Sequence, residues 1–442
     1  MDEDQHKSPD AGPSVAAGVG PVDMSAMTSA ERAVDELLGD AHFATAHHLP
    51  GLVARHAATM GVTDAVMYLA DLQQQLLVPF LSGKAAPGEQ TAALGVDSTV
   101  AGRAFQQIQV LTQDGGAAGS RVWLPLLDGT ERLGVLAVTL HDVALLEESG
   151  GVLSQRLERF AALVAELVMT KTQYGDTIVR LRRTTEMGLA AEIQWSLLPP
   201  LTFADETVSV AGALEPAYEV AGDSLDYAVD AGVTRLAVFD GMGHGLTSAQ
   251  LVSLAVAAYR NARRAGRSLV DTAHHIESAV TAGFPGEAFS TGLLGELDTG
   301  TGVFTWMSAG HLEPLVLREG RLVKTLELEP ALPFGLGNGL PAPLPAANMG
   351  SEQLQPGDLL LLYTDGVTEA RSPDGDFFGL DRLIDLVVRN LSAGLPAPET
   401  MRRLVRALLD HQSGDLDDDA TLLLVQWHGG PSVESWDPRV PA

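Results

Sequence analysis

Four aspartates stand where apolar, strand-like segments begin or end. Asp240 and Asp365 each close a strongly apolar segment and precede glycine, in FDGMGHG and LYTDGVTE. Asp223 lies in VAGDSLDY, and Asp418 stands just before the apolar segment of LDDDATLLL. Side chains at strand ends point into the mouth of a sheet, where several strands can bring their carboxylates together. Four anions there would repel one another strongly, so cations or protonation must offset their charge.

An all-oxygen donor set rich in carboxylates favours hard divalent ions such as Mg²⁺ or Mn²⁺. Glycine after Asp240 lets the backbone carbonyl of Gly241 approach a metal ion, and it leaves room for water and a phosphate group. Any single Asp-Gly pair is also typical of a plain turn. The recurrence of the pattern favours a metal centre.

Composition limits the classes of protein that fit. A chain of 442 residues with 45% hydrophobic and 19% charged residues predicts two or three globular domains. The net charge of −29 disfavours nucleic acid and anionic membranes as partners. The absence of cysteine excludes thiol nucleophiles and thiolate metal sites. The polar N-terminus and the lack of a long apolar run predict a cytoplasmic protein.

The first part of the chain predicts a tail and a small domain. Residues 1–28 are rich in Gly, Pro, Ala and Ser and predict a disordered tail. Residues 29–167 alternate helical patterns with strand-like segments and predict a small α/β domain. Strands are predicted at Thr63–Asp71 and Leu76–Ser82, and two more are joined at Asp128-Gly129 within Arg121–Leu140.

A helical segment is predicted over residues 159–200, and its part from 168 to 200 is the predicted linker between the domains. Its apolar stripe has steps of three, four and seven residues, which indicate one long helix ended by Pro199-Pro200. Such a stripe is typical either of a packed core helix or of a parallel homodimer connector, and its narrowness favours the dimer. The stripe consists of Phe160, Leu163, Leu167, Tyr174, Ile178 and Leu181.

Residues 201–428 predict a mostly β domain with interleaved helices, and residues 429–442 a tail. The segment Gly245–Gly266 is rich in Ala, Leu and Val and predicts a helix buried along most of its length. The predicted strands are Thr234–Asp240, Gly302–Gly310, Pro314–Gly320, Asp358–Asp365 and Ala420–Trp427.

Two parts of the chain resemble known families. The ordered motifs of residues 188–427, from AAEIQWSLLPP to DDDATLLLVQW, resemble the SpoIIE-type branch of the metal-dependent PPM (PP2C-like) serine/threonine phosphatases. Residues 29–167 resemble a GAF domain, especially in DSTVAGRAF and VWLPLLDGTERLGVLAV. The resemblance implies an α+β chain: an antiparallel GAF sheet with helices, a helical linker, and an αββα β-sandwich with a two-metal centre.

The resemblance also implies the site. Asp223, Asp240, Asp365 and Asp418 match the family's metal-coordinating aspartates, and Gly241 matches its carbonyl ligand. Asp418 is preferred to Asp419 because the family's ligand stands two residues before the position of Ala420. Two Mn²⁺ or Mg²⁺ ions would activate a bridging water that attacks phosphorus in line.

Three further positions bear on activity. His244 is a candidate acid for the leaving group, although a structural role at the start of a helix is favoured for it. His311 in SAGHLEP is interpreted as structural. Ser224-Leu225 departs from the aromatic residues usual in the family, which affects substrate preference and basal activity more than metal binding.

The function implied is dephosphorylation of phosphoserine or phosphothreonine on a STAS-domain anti-sigma-factor antagonist. An unidentified small ligand of the GAF domain would regulate it through the linker and the helix Gly245–Gly266. One alternative is a catalytically weak or inactive scaffold of the same fold. Another is a metal-dependent hydrolase of nucleotides or lipids, which the acidic charge of the chain disfavours.

Overall fold

The structure is a computed structural model. It describes residues 28–83, 92–116, 119–146, 148–215, 217–218, 222–286, 288–337, 349–413, 416 and 418–430. The two predicted tails lie almost entirely outside the described residues. In the described part of the chain, every helix is too short or too polar to cross a lipid bilayer.

The N-terminal domain is built on one antiparallel sheet of six strands in the order β3-β2-β1-β6-β5-β4. Short 3₁₀ turns lie at Ala46–His48 and Val143–Leu146. The elements are α1 (Ser29–Ala41), α2 (Leu49–Ala58), β1 (Asp64–Ala70), β2 (Leu76–Phe80), β3 (Leu94–Gly95), α3 (Val100–Gln107), β4 (Leu111–Gln113), β5 (Ser120–Asp128), β6 (Glu131–Leu140) and α4 (Glu148–Thr172).

Alternation along the strands divides the N-terminal core between the two faces of the sheet. Met67 and Leu69 of β1 face the layer of α1, α2 and α4. Tyr68 of the same strand faces α3, where it packs with Phe105 and Trp123. The predicted hairpin is confirmed, because Asp128 of β5 pairs with Glu131 of β6 across a turn at Gly129.

The prediction of one continuous linker helix is wrong. The segment forms α4, then α5 (Thr177–Arg182) and α6 (Leu189–Leu197). Between α5 and α6 the backbone N–H of Thr184 donates to the Tyr218 hydroxyl, and that of Gly188 donates to the Tyr218 carbonyl. These tertiary hydrogen bonds replace helical ones over this stretch.

Most side chains of the apolar stripe pack inside the N-terminal domain. Phe160, Leu167 and Ile178 are buried in its core with α1 and α2. Tyr174 is 79% exposed. The packed-core alternative therefore describes most of the stripe, and a homodimer through this segment stays a prediction.

The C-terminal domain contains two antiparallel sheets, ordered β15-β12-β11-β10-β9 and β14-β13-β16-β17-β8-β7. Its elements are β7 (Thr202–Ala204), β8 (Val208–Glu215), β9 (Asp223–Asp230), β10 (Val233–Gly241), α7 (Leu246–Arg264), α8 (Leu269–Gly283), β11 (Ser290–Asp298), β12 (Val303–Ala309), β13 (Leu315–Arg318), β14 (Arg321–Thr325), β15 (Met349–Gln353), β16 (Leu359–Tyr363), α9 (Asp365–Thr368), α10 (Leu380–Ser392), α11 (Ala397–His411) and β17 (Ala420–Trp427).

The two sheets face each other in a sandwich covered by helices. Leu225 and Val238 of one sheet pack with Leu360 and Leu423 of the other. Helices α7 and α8 cover the outer face of the first sheet, and α10 and α11 cover the second. The mixed α+β class and the helix-flanked sandwich are confirmed, and the five predicted strands all form.

Candidate metal centre

The predicted carboxylates lie at adjoining ends of the two sheets. Asp223 begins β9 and pairs directly with Asp240 near the end of β10. In the other sheet, Asp365 begins α9 just after β16, and Asp418 stands before β17, the neighbour of β16. The charges of Asp365 and Asp418 act on Asp240 across the gap between the sheets. The sandwich thus places all four aspartates around one space.

Hydrogen bonds join the two sheets at this edge. The Thr364 hydroxyl donates to Oδ2 of Asp223 over 2.6 Å and accepts from the backbone N–H of Thr421 over 2.9 Å. Oδ2 of Asp419 accepts from the backbone N–H groups of Gly222, at 2.6 Å, and Asp223, at 3.0 Å. Asp223 is therefore held through both its side chain and its backbone.

Asp418 and Asp419 occupy different environments. Asp419 is buried, and its backbone N–H donates to Oδ1 of Asp418 over 2.9 Å. Asp418 is exposed and acts on Asp240. This division suits a metal ligand at Asp418 and a supporting carboxylate at Asp419, and the assignment of Asp418 stays a proposal.

Burial and like charge raise the carboxyl pKa values here. Burial, with the charges of Asp365 and Asp418, raises the pKa of Asp240 to about 7. Burial also raises the pKa of Asp419 to about 7, and the charges of Asp418 and Asp240 add to it. The pKa of Asp223 rises too, chiefly by burial and then through the charges of Asp240 and Asp419. Holding all of these groups ionised requires a compensating positive charge.

Glycine is needed at the end of β10 and in the glycine-rich loop after it for different local reasons. A Cβ on Gly241 would lie 2.6 Å from the Ser248 hydroxyl oxygen and 2.7 Å from Val252 of α7. Gly243 and Gly245 have φ of +78° and +80°, which favour glycine. The Gly241 carbonyl accepts from the Ser248 hydroxyl over 3.0 Å, and its second lone pair is left for another partner.

These features fit divalent cations held by oxygen atoms. Oδ1 of Asp419 is buried and has no hydrogen-bond partner among the described residues, as expected beside an ion or ordered water. Within the same residues, no three Asp, Glu or His side chains are already arranged to hold one ion. The fit therefore rests on donor type, burial and the raised pKa values.

The two candidate histidines differ in exposure. The His244 side chain is exposed in the glycine-rich loop. Its imidazole therefore needs no hydrogen-bond partner within the protein. His311 follows β12, and burial lowers its pKa to about 4. Its Nδ1 lies 2.8 Å from the Thr291 hydroxyl oxygen in a hydrogen bond.

The unusual pair Ser224-Leu225 is accommodated by packing. Both residues are buried in β9, and Leu225 belongs to the core between the sheets. The next residue, Asp226, accepts from Arg260 and Arg263 of α7 at 2.7 and 3.1 Å. These ion pairs attach α7 to the strand that Asp223 begins.

Several residues at the site were not singled out as functional by sequence reasoning. The hydroxyls of Thr364 and Thr291 and the amide of Gln194 contact Asp223 or Asp240. Thr364 adjoins Asp365, which is a weak signal. Thr291 and Gln194 carry none, since they lie 51 and 29 residues from their partners.

The helix-flanked sandwich and its cluster of carboxylates resemble the metal-dependent PPM (PP2C-like) class of phosphatases. Residues 230–428 match the family model described as Stage II sporulation protein E (SpoIIE). The C-terminal domain is therefore a SpoIIE-type phosphatase domain.

Two curated proteins show the extent of the similarity. Phosphoserine phosphatase RsbU of Bacillus subtilis (strain 168) is 25% identical over 242 residues, which cover 55% of this chain and 70% of RsbU. Protein IcfG of Synechocystis sp. is 31% identical over 138 residues, which are 31% of this chain. The match spans only 20% of IcfG.

Solved structures of similar domains include the RsbU and RsbW domains of Rv1364c from Mycobacterium tuberculosis. That structure is 27% identical, with a TM-score of 0.42, and the match covers 51% of this chain and 61% of the other. The SiaA-PP2C domain of Pseudomonas aeruginosa is 23% identical, with a TM-score of 0.43, and the match covers 54% and 94% of the two chains.

Proposed function

We propose that this chain is a protein serine/threonine phosphatase with a two-metal centre. The observation that carries the proposal is the convergence of Asp223, Asp240, Asp365 and Asp418 at the mouth of the sandwich, where the pKa of Asp240 is raised to about 7. These carboxylates and the Gly241 carbonyl are the proposed holders of two Mn²⁺ or Mg²⁺ ions.

When bound, two such ions would supply an activated water for in-line attack on phosphorus and offset the charge of the phosphoryl oxygens. Thr364 and Asp419 fix the position of Asp223 through the bonds described above. Gly243 and Gly245 keep the mouth of the site free of bulky side chains. The chain has no cysteine, so a cysteinyl-phosphate intermediate is excluded.

The proposed substrate is phosphoserine or phosphothreonine on a STAS-domain anti-sigma-factor antagonist. RsbU is named a phosphoserine phosphatase, and the family resemblance supports this kind of partner. Met242 and Leu246 flank the glycine-rich loop and are 43% and 42% exposed. An apolar rim of this kind suits a folded protein substrate. Such a partner places the proposed activity in the cytoplasm.

We propose that the N-terminal domain is a GAF-type sensor of a small ligand and that it controls the phosphatase domain. Buried ion pairs between the domains support this control. Arg132 of β6 donates to Glu399 of α11 over 2.9 Å, with 2% and 0% of the side chains exposed. Arg402 of α11 donates to Glu399 at 2.9 Å and to Asp97 at 2.6 Å. Breaking such a network leaves uncompensated buried charge, so the two domains respond to each other.

A second connection runs through the linker, as the sequence predicts. Gln194 of α6 donates from its amide to the backbone carbonyl of Asp223. Arg260 of α7 donates to the carbonyl of Leu197 at the end of α6 and to Asp226 in β9. A displacement of α6 would therefore reach both α7 and the strand that bears Asp223.

Phosphate release tests the proposed function. The full-length protein would be assayed on a generic aryl phosphate and on a phosphoserine-bearing STAS protein, with Mn²⁺ and with chelator. We expect Mn²⁺-dependent turnover that Asp240→Ala abolishes and that Asp385→Ala, at an exposed position on α10, retains. Mn²⁺ binding without turnover on either substrate would favour the scaffold alternative.

A further inference from the structure

A short turn places His311 beside the candidate metal centre. Gly310, with φ of +68°, directly follows β12 and forms a bridge with Gly292 near the start of β11. The Ser308 hydroxyl donates to the His311 carbonyl over 3.0 Å and accepts from the His311 N–H over 3.1 Å. The backbone of His311 is therefore held at both of its polar groups.

The imidazole of His311 contacts the candidate ligand Asp240 through one intermediate residue. Its Nδ1 lies 2.8 Å from the hydroxyl oxygen of Thr291. Thr291 is the strand partner of Asp240, and its hydroxyl donates to Oδ2 of Asp240 over 3.5 Å. A threonine hydroxyl rotates freely unless a second partner fixes it, and His311 supplies that partner.

The imidazole also lies between the two sheets. Thr291 belongs to β11 in the first sheet, and Tyr363 of β16 in the second lies close to the ring. Because the Thr291 hydroxyl donates to Asp240, Nδ1 of the neutral ring carries the proton that Thr291 accepts. Nε2 is shielded from solvent and, among the described residues, makes no hydrogen bond of good geometry. Tyr363 precedes Asp365 by two residues, so the ring adjoins the strand ends of two candidate ligands.

We propose that His311 and Thr291 form a positioning pair that holds the carboxylate of Asp240 in the orientation needed to bind the metal ion. This inference rests on the proposed function, because it concerns the same metal centre. His311 is a positioning residue, since it acts on Asp240 only through Thr291. Burial lowers the pKa of His311 to about 4, so the ring is neutral at physiological pH and adds no charge to the centre.

Calorimetric titration of Mn²⁺ into the full-length protein tests the pair without depending on turnover. Thr291→Val keeps the shape of the side chain and removes the hydroxyl, whereas Thr291→Ser keeps the hydroxyl. His311→Leu removes the ring nitrogens, and His311→Asn keeps a polar group near the position of Nδ1. The matched control is Thr234→Val on β10, where the buried hydroxyl has no partner among the described residues.

We expect Thr291→Val and His311→Leu each to raise the Mn²⁺ dissociation constant about fivefold to tenfold, the size of effect of one hydrogen bond. Thr291→Ser, His311→Asn and Thr234→Val should stay within about twofold of wild type, on the same hydrogen-bond scale. The double variant Thr291→Val/His311→Leu should be no weaker than the weaker single variant, because both break the same chain of contacts.

Wild-type affinity in folded Thr291→Val and His311→Leu, with thermal stability lower than that of wild type and of Thr234→Val, would show that the pair is only structural. If His311→Leu does not fold, the comparison of Thr291→Val with Thr291→Ser decides alone. Wild-type protein that binds no Mn²⁺ would overturn the proposed metal centre and this inference together. Normal wild-type binding with unaffected variants overturns the inference alone.

Discussion

The Thr364 hydroxyl donates to the Asp223 carboxylate over 2.6 Å and accepts from the buried backbone of Thr421. It connects the first residue of β9 to β17 in the opposite sheet. The candidate metal centre therefore depends on how closely the two sheets are joined at one edge.

Thr364→Val should destabilise the protein, because it leaves the Thr421 N–H buried and unpaired. We expect a loss of about 1–3 kcal/mol in the free energy of unfolding and weaker Mn²⁺ binding. Urea denaturation and calorimetry measure the two effects. Thr364→Ser is the matched control and should retain both properties. Equal losses in the two variants would mean that the threonine methyl group, not its hydroxyl, matters.

Protonation of Glu215 should make the stability of the protein depend on pH, independently of the metal centre. Burial raises its pKa from 4.5 to about 7, although Gln73 and the Ala217 N–H hydrogen bond to it. The folded state thus binds the proton more tightly than the unfolded state, so this contribution to stability falls as pH rises from about 4.5 to about 7.

Glu215→Gln removes that dependence. Between pH 5.5 and pH 8, we expect the stability of wild type to fall by roughly 2 kcal/mol relative to the variant. Urea denaturation at the two pH values measures the difference. Parallel pH profiles would show that Glu215 is not protonated preferentially in the folded protein.

Neutralising the two acidic residues of the interdomain ion pairs should destabilise the protein to different extents. Glu399→Gln removes a fully buried charge partner of Arg132 and should cost about 3 kcal/mol or more. Asp97→Asn, at a half-exposed position, should cost less than about 1 kcal/mol. Chemical denaturation of both full-length variants tests the order. Similar losses would contradict a buried interface centred on Glu399.

Gln194 tests the connection through the linker. Gln194→Ala should raise the Mn²⁺ concentration needed for half-maximal turnover, because the carbonyl of Asp223 loses its donor. Ser196→Ala, at an exposed position on the same helix, is the control. An unchanged Mn²⁺ requirement in Gln194→Ala would mean that α6 packs against β9 without influencing the metal centre.

Local patterns predicted the parts of the fold that local sequence determines. Apolar runs bounded by Asp and Gly, as at Asp240 and Asp365, marked strand ends correctly. The break between α5 and α6 was not predictable, because it depends on hydrogen bonds from Thr184 and Gly188 to Tyr218, about thirty residues away along the chain. The bond from Gly222 to Asp419 spans 197 residues, and no local pattern signals it.

Anomalous diffraction from crystals grown with Mn²⁺ would locate the ions of the proposed metal centre. We expect two Mn²⁺ peaks per chain, bound by Asp223, Asp240, Asp365, Asp418 and the Gly241 carbonyl, and we expect Asp240→Asn to lose them. Peaks elsewhere, or none at this edge of the sandwich at saturating Mn²⁺, would contradict the proposed metal centre.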